Sequence, residues 1–170
     1  MMIIGITVMI IAAVCGAVIF ITRAARQAER QKYYDAAYRI LKEECLDNAI
    51  RNQDKRMQNA RKVMLYLKWK DTEKHGYVFD PEKPVWIGRD PQTSNICIRE
   101  GTVSSRHCVL YLYQGTVYLE DLHSRNGTQI RQGIRTRHVQ EPCPVFSGDR
   151  IIVGSLVIRV ILFEFDTAYI

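Results

Sequence analysis

No charged side chain occurs among the first 22 residues, and neither proline nor glycine occurs between Arg23 and Ala60. The average composition, 47% hydrophobic and 25% charged, is that of a globular protein. It conceals a partition into an apolar start, a charged middle and a mixed remainder. Other absences bear on chemistry. No Gly-x-Ser-x-Gly elbow, P-loop or dinucleotide fingerprint is present. Ser104, His107 and Cys108 include nucleophile and base types, but adjacent His and Cys cannot form a triad by sequence alone. The five cysteines are odd in number and contain no Cys-x-x-Cys pair. That argues against a disulfide framework or a zinc site and favours a reducing compartment. Cys97 and Cys108 lie in apolar strand patterns and read as small core residues. The histidines lack metal-ligand spacing, and no dense basic cluster marks nucleic-acid binding. The expectation is a non-enzyme with no metal or cofactor and no nucleic-acid partner.

What is present begins with the apolar run, residues 1–22. As a helix it spans roughly 30 Å, the thickness of a bilayer core. No basic side chain precedes it, and it is long for a cleavable signal, so a retained transmembrane helix is expected. Arg23, Arg26, Arg30 and Lys32 follow at once. The positive-inside bias then places the N-terminus outside and everything after Arg23 in the cytoplasm, in a single-pass cell-membrane protein. Ala12 and Gly16 have the small-xxx-small spacing that can pair membrane helices, a spacing also common by chance.

Residues 23–60 are rich in Ala, Arg, Gln, Glu and Lys, which favour helix. Tyr34, Tyr38, Leu41 and Cys45 form a helical stripe. The segment reads as a charged helical linker, one long helix or two shorter ones. Either it is a partner-binding stalk, or its stripe packs locally and holds the domain off the bilayer. The net charge of +6 divides evenly between this segment and residues 61–170.

From Lys62 onward the pattern is that of strands. Val63–Trp69, Tyr77–Phe79, Val85–Ile87, Asn95–Ile98, His107–Tyr113, Val117–Asp121, Arg150–Val153 and Leu156–Phe163 are short apolar or β-branched runs. Gly, Pro and Asn punctuate them, which signals an all-β sandwich or barrel.

The informative residues lie between the runs. Gly88-Arg89 closes one; Ser104-Ser105-Arg106-His107 opens another; Asn126-Gly127-Thr128 forms a tight-turn signal; Gly148-Asp149 precedes Ile151-Ile152-Val153-Gly154. In this order and spacing the chain resembles the forkhead-associated (FHA) domain family, over roughly residues 61–166. The resemblance implies an eleven-stranded FHA-type β-sandwich whose end loops bind phosphothreonine. By that likeness Arg89 contacts the phosphate and Ser104 donates its hydroxyl. Ser105 and Arg125 add phosphate or backbone contacts, and Asn126 holds the ligand's main chain. Gly88, His107 and Gly127 belong to the architectural part of the motif. The chemistry agrees, since a guanidinium fork and a hydroxyl suit a doubly charged phosphate.

Two departures stand out. His123 replaces a common glycine, which strains the loop if the position takes positive φ. Arg125 replaces a frequent small hydroxyl residue and adds positive charge. The resulting expectation is a membrane-anchored adaptor with three parts: transmembrane helix 1–22, linker 23–60 and FHA phosphopeptide-binding domain 61–170. It would recruit proteins phosphorylated by a Ser/Thr kinase, which is thus an indirect partner. Its architecture looks like that of small bacterial proteins of kinase signalling in cell-wall synthesis and division. The alternative is a phosphate-independent scaffold with a degenerate pocket.

Overall fold

The protein is described from a computed structural model, over residues 2–50 and 61–167. Positions 51–60 of the expected linker and the last three residues of the expected domain lie outside the described residues. The helix α1 runs without a break over Met2–Ile50, and eleven strands follow. They are β1 (Arg61–Lys70), β2 (Lys74–Phe79), β3 (Val85–Gly88), β4 (Ile96–Cys97), β5 (Cys108–Tyr113) and β6 (Thr116–Asp121), then β7 (Gln129–Gln132), β8 (Arg135–His138), β9 (Cys143–Pro144), β10 (Arg150–Val153) and β11 (Leu156–Asp166).

One sheet has the order β2-β1-β11-β10-β7-β8 and the other β4-β3-β5-β6-β9. All pairings are antiparallel except β3 with β4. Strand alternation aims every second side chain inward. Leu65, Leu67, Ile87, Leu110, Leu119, Ile130, Ile151, Ile158 and Val160 are all fully buried between the sheets. At about 25 cal/mol per Å² of apolar surface, this shared layer is the main source of the fold's stability.

The outer face of β1 and β11 is covered too. Met64 and Phe165 point away from the sandwich and meet Ala37 and Leu41 of α1 in a second buried cluster. Tyr33 and Tyr34 add ring contacts with Tyr66, Phe163 and Phe165 at centroid distances of 4.7–6.2 Å. Two charged clamps bracket this patch. Lys68 Nζ reaches Glu29 at 2.5 Å, and Lys62 Nζ reaches Glu44 at 3.4 Å and Asp80 at 2.6 Å. Burial opposes the Lys62 charge, but Asp80, Glu82 and Glu44 outweigh it and raise its pKa above the usual lysine range.

The expected linker is therefore not a stalk standing clear of the domain, because residues 29–44 of α1 lie along the sheet. Of the expected stripe, Leu41 is buried and Tyr34 and Cys45 are half-buried, whereas Tyr38 is exposed and Ala37 takes its place. Ala37 packs with Leu41 against Met64 and Phe165. The earlier part of α1 contains a stretch long and apolar enough to cross a membrane. Its side chains from Met9 to Ile21, among them Ile10, Ile11, Val18 and Phe20, are exposed.

Leu41→Ala should weaken helix docking by roughly 2–5 kcal/mol, the usual cost of a core cavity. Hydrogen exchange should then quicken in residues 29–47, while the amides of β5, β6 and β10 keep their protection.

Candidate functional site

The expected site residues come from three connections at one end of the sandwich. Gly88 ends β3, and Arg89 follows it outward. A Cβ at Gly88 would collide with the backbone carbonyl of Ser105, so only glycine permits this approach of the two loops. Backbone bonds then stitch them together: Arg89 N–H donates to Ser104 O at 2.9 Å and Asp90 N–H to Ser105 O at 3.2 Å.

His107 ties in the third loop. It is fully buried. Its Nδ1 accepts from Ser104 N–H at 3.1 Å, so Nε2 carries the proton and faces Gly127 O at 3.3 Å. The imidazole is thus neutral and committed on both sides, and no nitrogen remains to act as a general base. Cys108 is also fully buried, and burial pushes its thiol pKa up to about 12. Neither has the properties of a catalytic group.

The result is a shallow depression of about 200 Å³ lined by Arg89, Thr102, Val103, Ser104, Ser105 and Arg125, with Gly101 at its rim. Four of the five expected binding residues meet there. Arg89 Nε donates to Val103 O at 3.2 Å, which orients the guanidinium without using its terminal amino groups. Ser104 Oγ accepts from Arg125 N–H at 3.0 Å, which leaves the hydroxyl proton to donate elsewhere. Asn126 stands beside the depression, where its Nδ2 donates to Thr102 O at 2.7 Å. In this state its amide braces the loop at residues 101–104. Two cations, hydroxyls and no carboxylate line the depression, a donor set suited to an anion.

The loop that carries Arg125 and Asn126 has its own support. Asp121 Oδ1 accepts from Ser124 Oγ at 2.7 Å and Thr128 Oγ1 at 2.5 Å, and Oδ2 accepts from Ser124 N–H at 3.0 Å. Sequence reading gave Asp121 and Thr128 no role in the site; the available signal was the spacing Asp-x-x-Ser, in which an aspartate side chain caps the backbone three residues on. Burial works against the Asp121 charge, but the bonds from Ser124 and Thr128 outweigh it and hold the carboxyl below its ordinary range. His123 takes a φ of 53°, so the condition for strain at this position is met.

Cys97 departs from expectation. It is exposed on the short edge strand β4, with its thiol on Arg89 O at 3.4 Å, because the pleat turns Ile96 and Ile98 inward instead.

Two packed sheets with a loop-borne anion cradle at one end define an interaction module rather than an enzyme. Residues 85–154 match the FHA domain. The FHA domain of the CT664 protein from Chlamydia trachomatis has the same fold, with a TM-score of 0.51 at 20% identity over 58% of this chain and 96% of that one. An FHA domain of an Arabidopsis thaliana hypothetical protein gives 0.51 at 20% identity, over 59% and 85%. Mycobacterium tuberculosis EmbR, solved with a low affinity phosphopeptide, gives 0.50 at 20% identity, over 58% of this chain and 24% of that one. At these identities the likeness is one of fold. No curated protein matches the chain in sequence.

A β-branched residue tolerates φ near 53° poorly, so His123→Val should cost about 1–2 kcal/mol while His123→Gly is tolerated. Chemical denaturation of the two variants measures this difference. A second outcome follows from Asp121. Because its folded pKa is depressed, its stabilisation is complete above the unfolded value of about 4 and is lost as pH falls through the folded one. Thermal midpoints of wild type and Asp121→Asn should stand apart at neutral pH and converge in acid.

Proposed function

We propose that this chain is a membrane-anchored adaptor that binds phosphothreonine in a partner protein. The observation that carries the reading is the convergence of Arg89, Ser104, Ser105 and Arg125 on one depression from separate loops. A phosphothreonine brings a charge of about −1.5 to −2 and three acceptor oxygens. Arg89 would supply charge and parallel donors, and Ser104 a short hydroxyl bond. Arg125 would add long-range attraction. Asn126 would exchange its bond to Thr102 for the ligand's main chain. The match of residues 85–154 to the FHA domain supports this, and so does the phosphopeptide bound by EmbR.

In the same reading, residues 1–22 span the membrane with the N-terminus outside, and residues 61–170 form the cytoplasmic binding domain. A Ser/Thr kinase phosphorylates the partner, and the adaptor retains it at the inner surface. Kinase signalling in cell-wall synthesis or division is the setting this architecture suggests.

Titration of the full chain in detergent or nanodiscs against a phosphothreonine peptide library tests the site. Arg89→Ala and Ser104→Ala should each lose roughly 1.5–3 kcal/mol, more than tenfold in affinity. Equal affinity of wild type for phosphorylated and unphosphorylated peptides would instead assign a phosphate-independent scaffold.

A further inference from the structure

The helix α1 packs along β1, and the strand directions determine which end of the domain lies toward the apolar part of α1. The loop carrying Arg125 and Asn126 joins the end of β6 to the start of β7. In β7, Gln129 lies opposite Ile152, so β10 finishes at that same end. The turn from β10 to β11 is therefore beside the site. Ser155 in that turn donates from N–H and Oγ to Glu100, at 3.1 and 2.5 Å, just before the loop that lines the depression. From there β11 runs away and β1 returns, with Lys68 opposite Arg159 and Arg61 opposite Asp166.

The helix runs against β1. Glu29 meets Lys68, Tyr33 meets Tyr66, and Glu44 meets Lys62. Moving toward the apolar segment along α1 thus means moving toward the site. Thr22 lies seven residues beyond Glu29, about 10 Å at 1.5 Å per residue. The strand continues from Lys68 to the β1–β2 turn at Asp71, also about 10 Å. The far end of the sandwich, marked by Glu44 and Arg61, lies about 22 Å on the other side of Glu29. The site end and the exit of α1 from its apolar stretch are thus at one level.

Charge agrees with this placement. Arg89, Arg99, Arg125, Lys70 and Lys74 are exposed at that end and outnumber the exposed Asp71 and Glu73 of the β1–β2 turn, an excess of cations suited to the anionic inner leaflet.

We infer that the phosphate-binding end of the domain faces the bilayer, and that its ligand is a phosphothreonine in the membrane-proximal segment of another membrane-anchored protein. This rests on α1 as the anchor and on the loop cluster as a phosphothreonine site. A soluble partner must enter the gap between domain and headgroups. A segment that itself emerges from the bilayer is already there, at a raised effective concentration.

The test uses the full chain in nanodiscs, with Cys15, Cys45 and Cys97 changed to Ser. A fluorophore is placed by Gly101→Cys at the site end or by Glu164→Cys at the far end, and headgroup spin-labelled lipid is the quencher. Quenching should be several-fold stronger at 101 than at 164, and Leu41→Asp, which undocks the helix, should erase the difference. Equal quenching, or stronger quenching at 164, overturns the inference. In unlabelled wild type, a phosphothreonine peptide is then anchored in the same disc by its own apolar helix, through a spacer of about 5 or about 25 residues. The short spacer should be captured about tenfold more strongly, as the −3/2 power of length requires. A preference for the long spacer overturns the partner assignment. If no phosphothreonine peptide binds, free or tethered, while the quenching difference stands, the site reading fails and the orientation survives. Arg89-dependent binding to anionic lipid without peptide would assign the end to headgroups and overturn the inference.

Discussion

A single buried imidazole holds together the loop end that carries the candidate site. His107 accepts from Ser104 N–H and reaches Gly127 O with its other nitrogen, so one side chain spans two loops. Its own N–H donates to Ile87 O, and its carbonyl accepts from Leu122 N–H, which draws in β3 and the end of β6. Because the ring is fully buried, each of these bonds lies in a medium where an unmade bond is costly. The position of Ser104 follows from this anchoring, and through Ser104 Oγ so does the backbone of Arg125. The candidate cradle is thus set before any ligand arrives, which reduces the ordering cost of binding.

A second constraint is that β1 is buried on both faces. Leu65 and Leu67 face the sandwich, and Met64 faces the helix. A strand packed this way cannot slip by one residue without turning Lys62 and Lys68, which share the helix face with Met64, into the apolar sandwich. The ion pairs at Lys62 and Lys68 then fix where along the strand the helix sits. Burial would raise the Glu44 carboxyl, but Lys83 and Lys62 outweigh it and keep its pKa low, so that clamp stays charged at neutral pH. Orientation of the whole domain relative to α1 depends on this outer interface and not on the binding loops.

The core strands were legible because alternation reports one buried face. Arg150–Val153 was read to the residue, and Leu156–Phe163 was short by three. The strands β7, β8 and β9 were not read. All four residues of Arg135–His138 are exposed at a sheet edge, and β9 has only two residues, so neither carries a usable period. The tight-turn signal Asn126-Gly127 placed a loop correctly, and the histidine that stands in a common glycine's place does take a positive φ. Cys97 was misread because a short edge strand offers too few residues to tell in from out. Tyr38 was misread for a related reason, since a helical stripe is wider than the part of it a sheet can cover.

By itself the sequence determined the fold class, the presence of an apolar helix and the set of candidate residues in the end loops, because each depends on local pattern or on ordered motifs. Tertiary structure alone decided that Arg89, Ser104, Ser105 and Arg125 share one depression, since they come from loops separated by whole strands. It also decided that α1 folds back along β1 and so points the binding end toward its apolar half. That outcome depends on long-range packing of Ala37, Leu41, Met64 and Phe165, whose sum no local window contains.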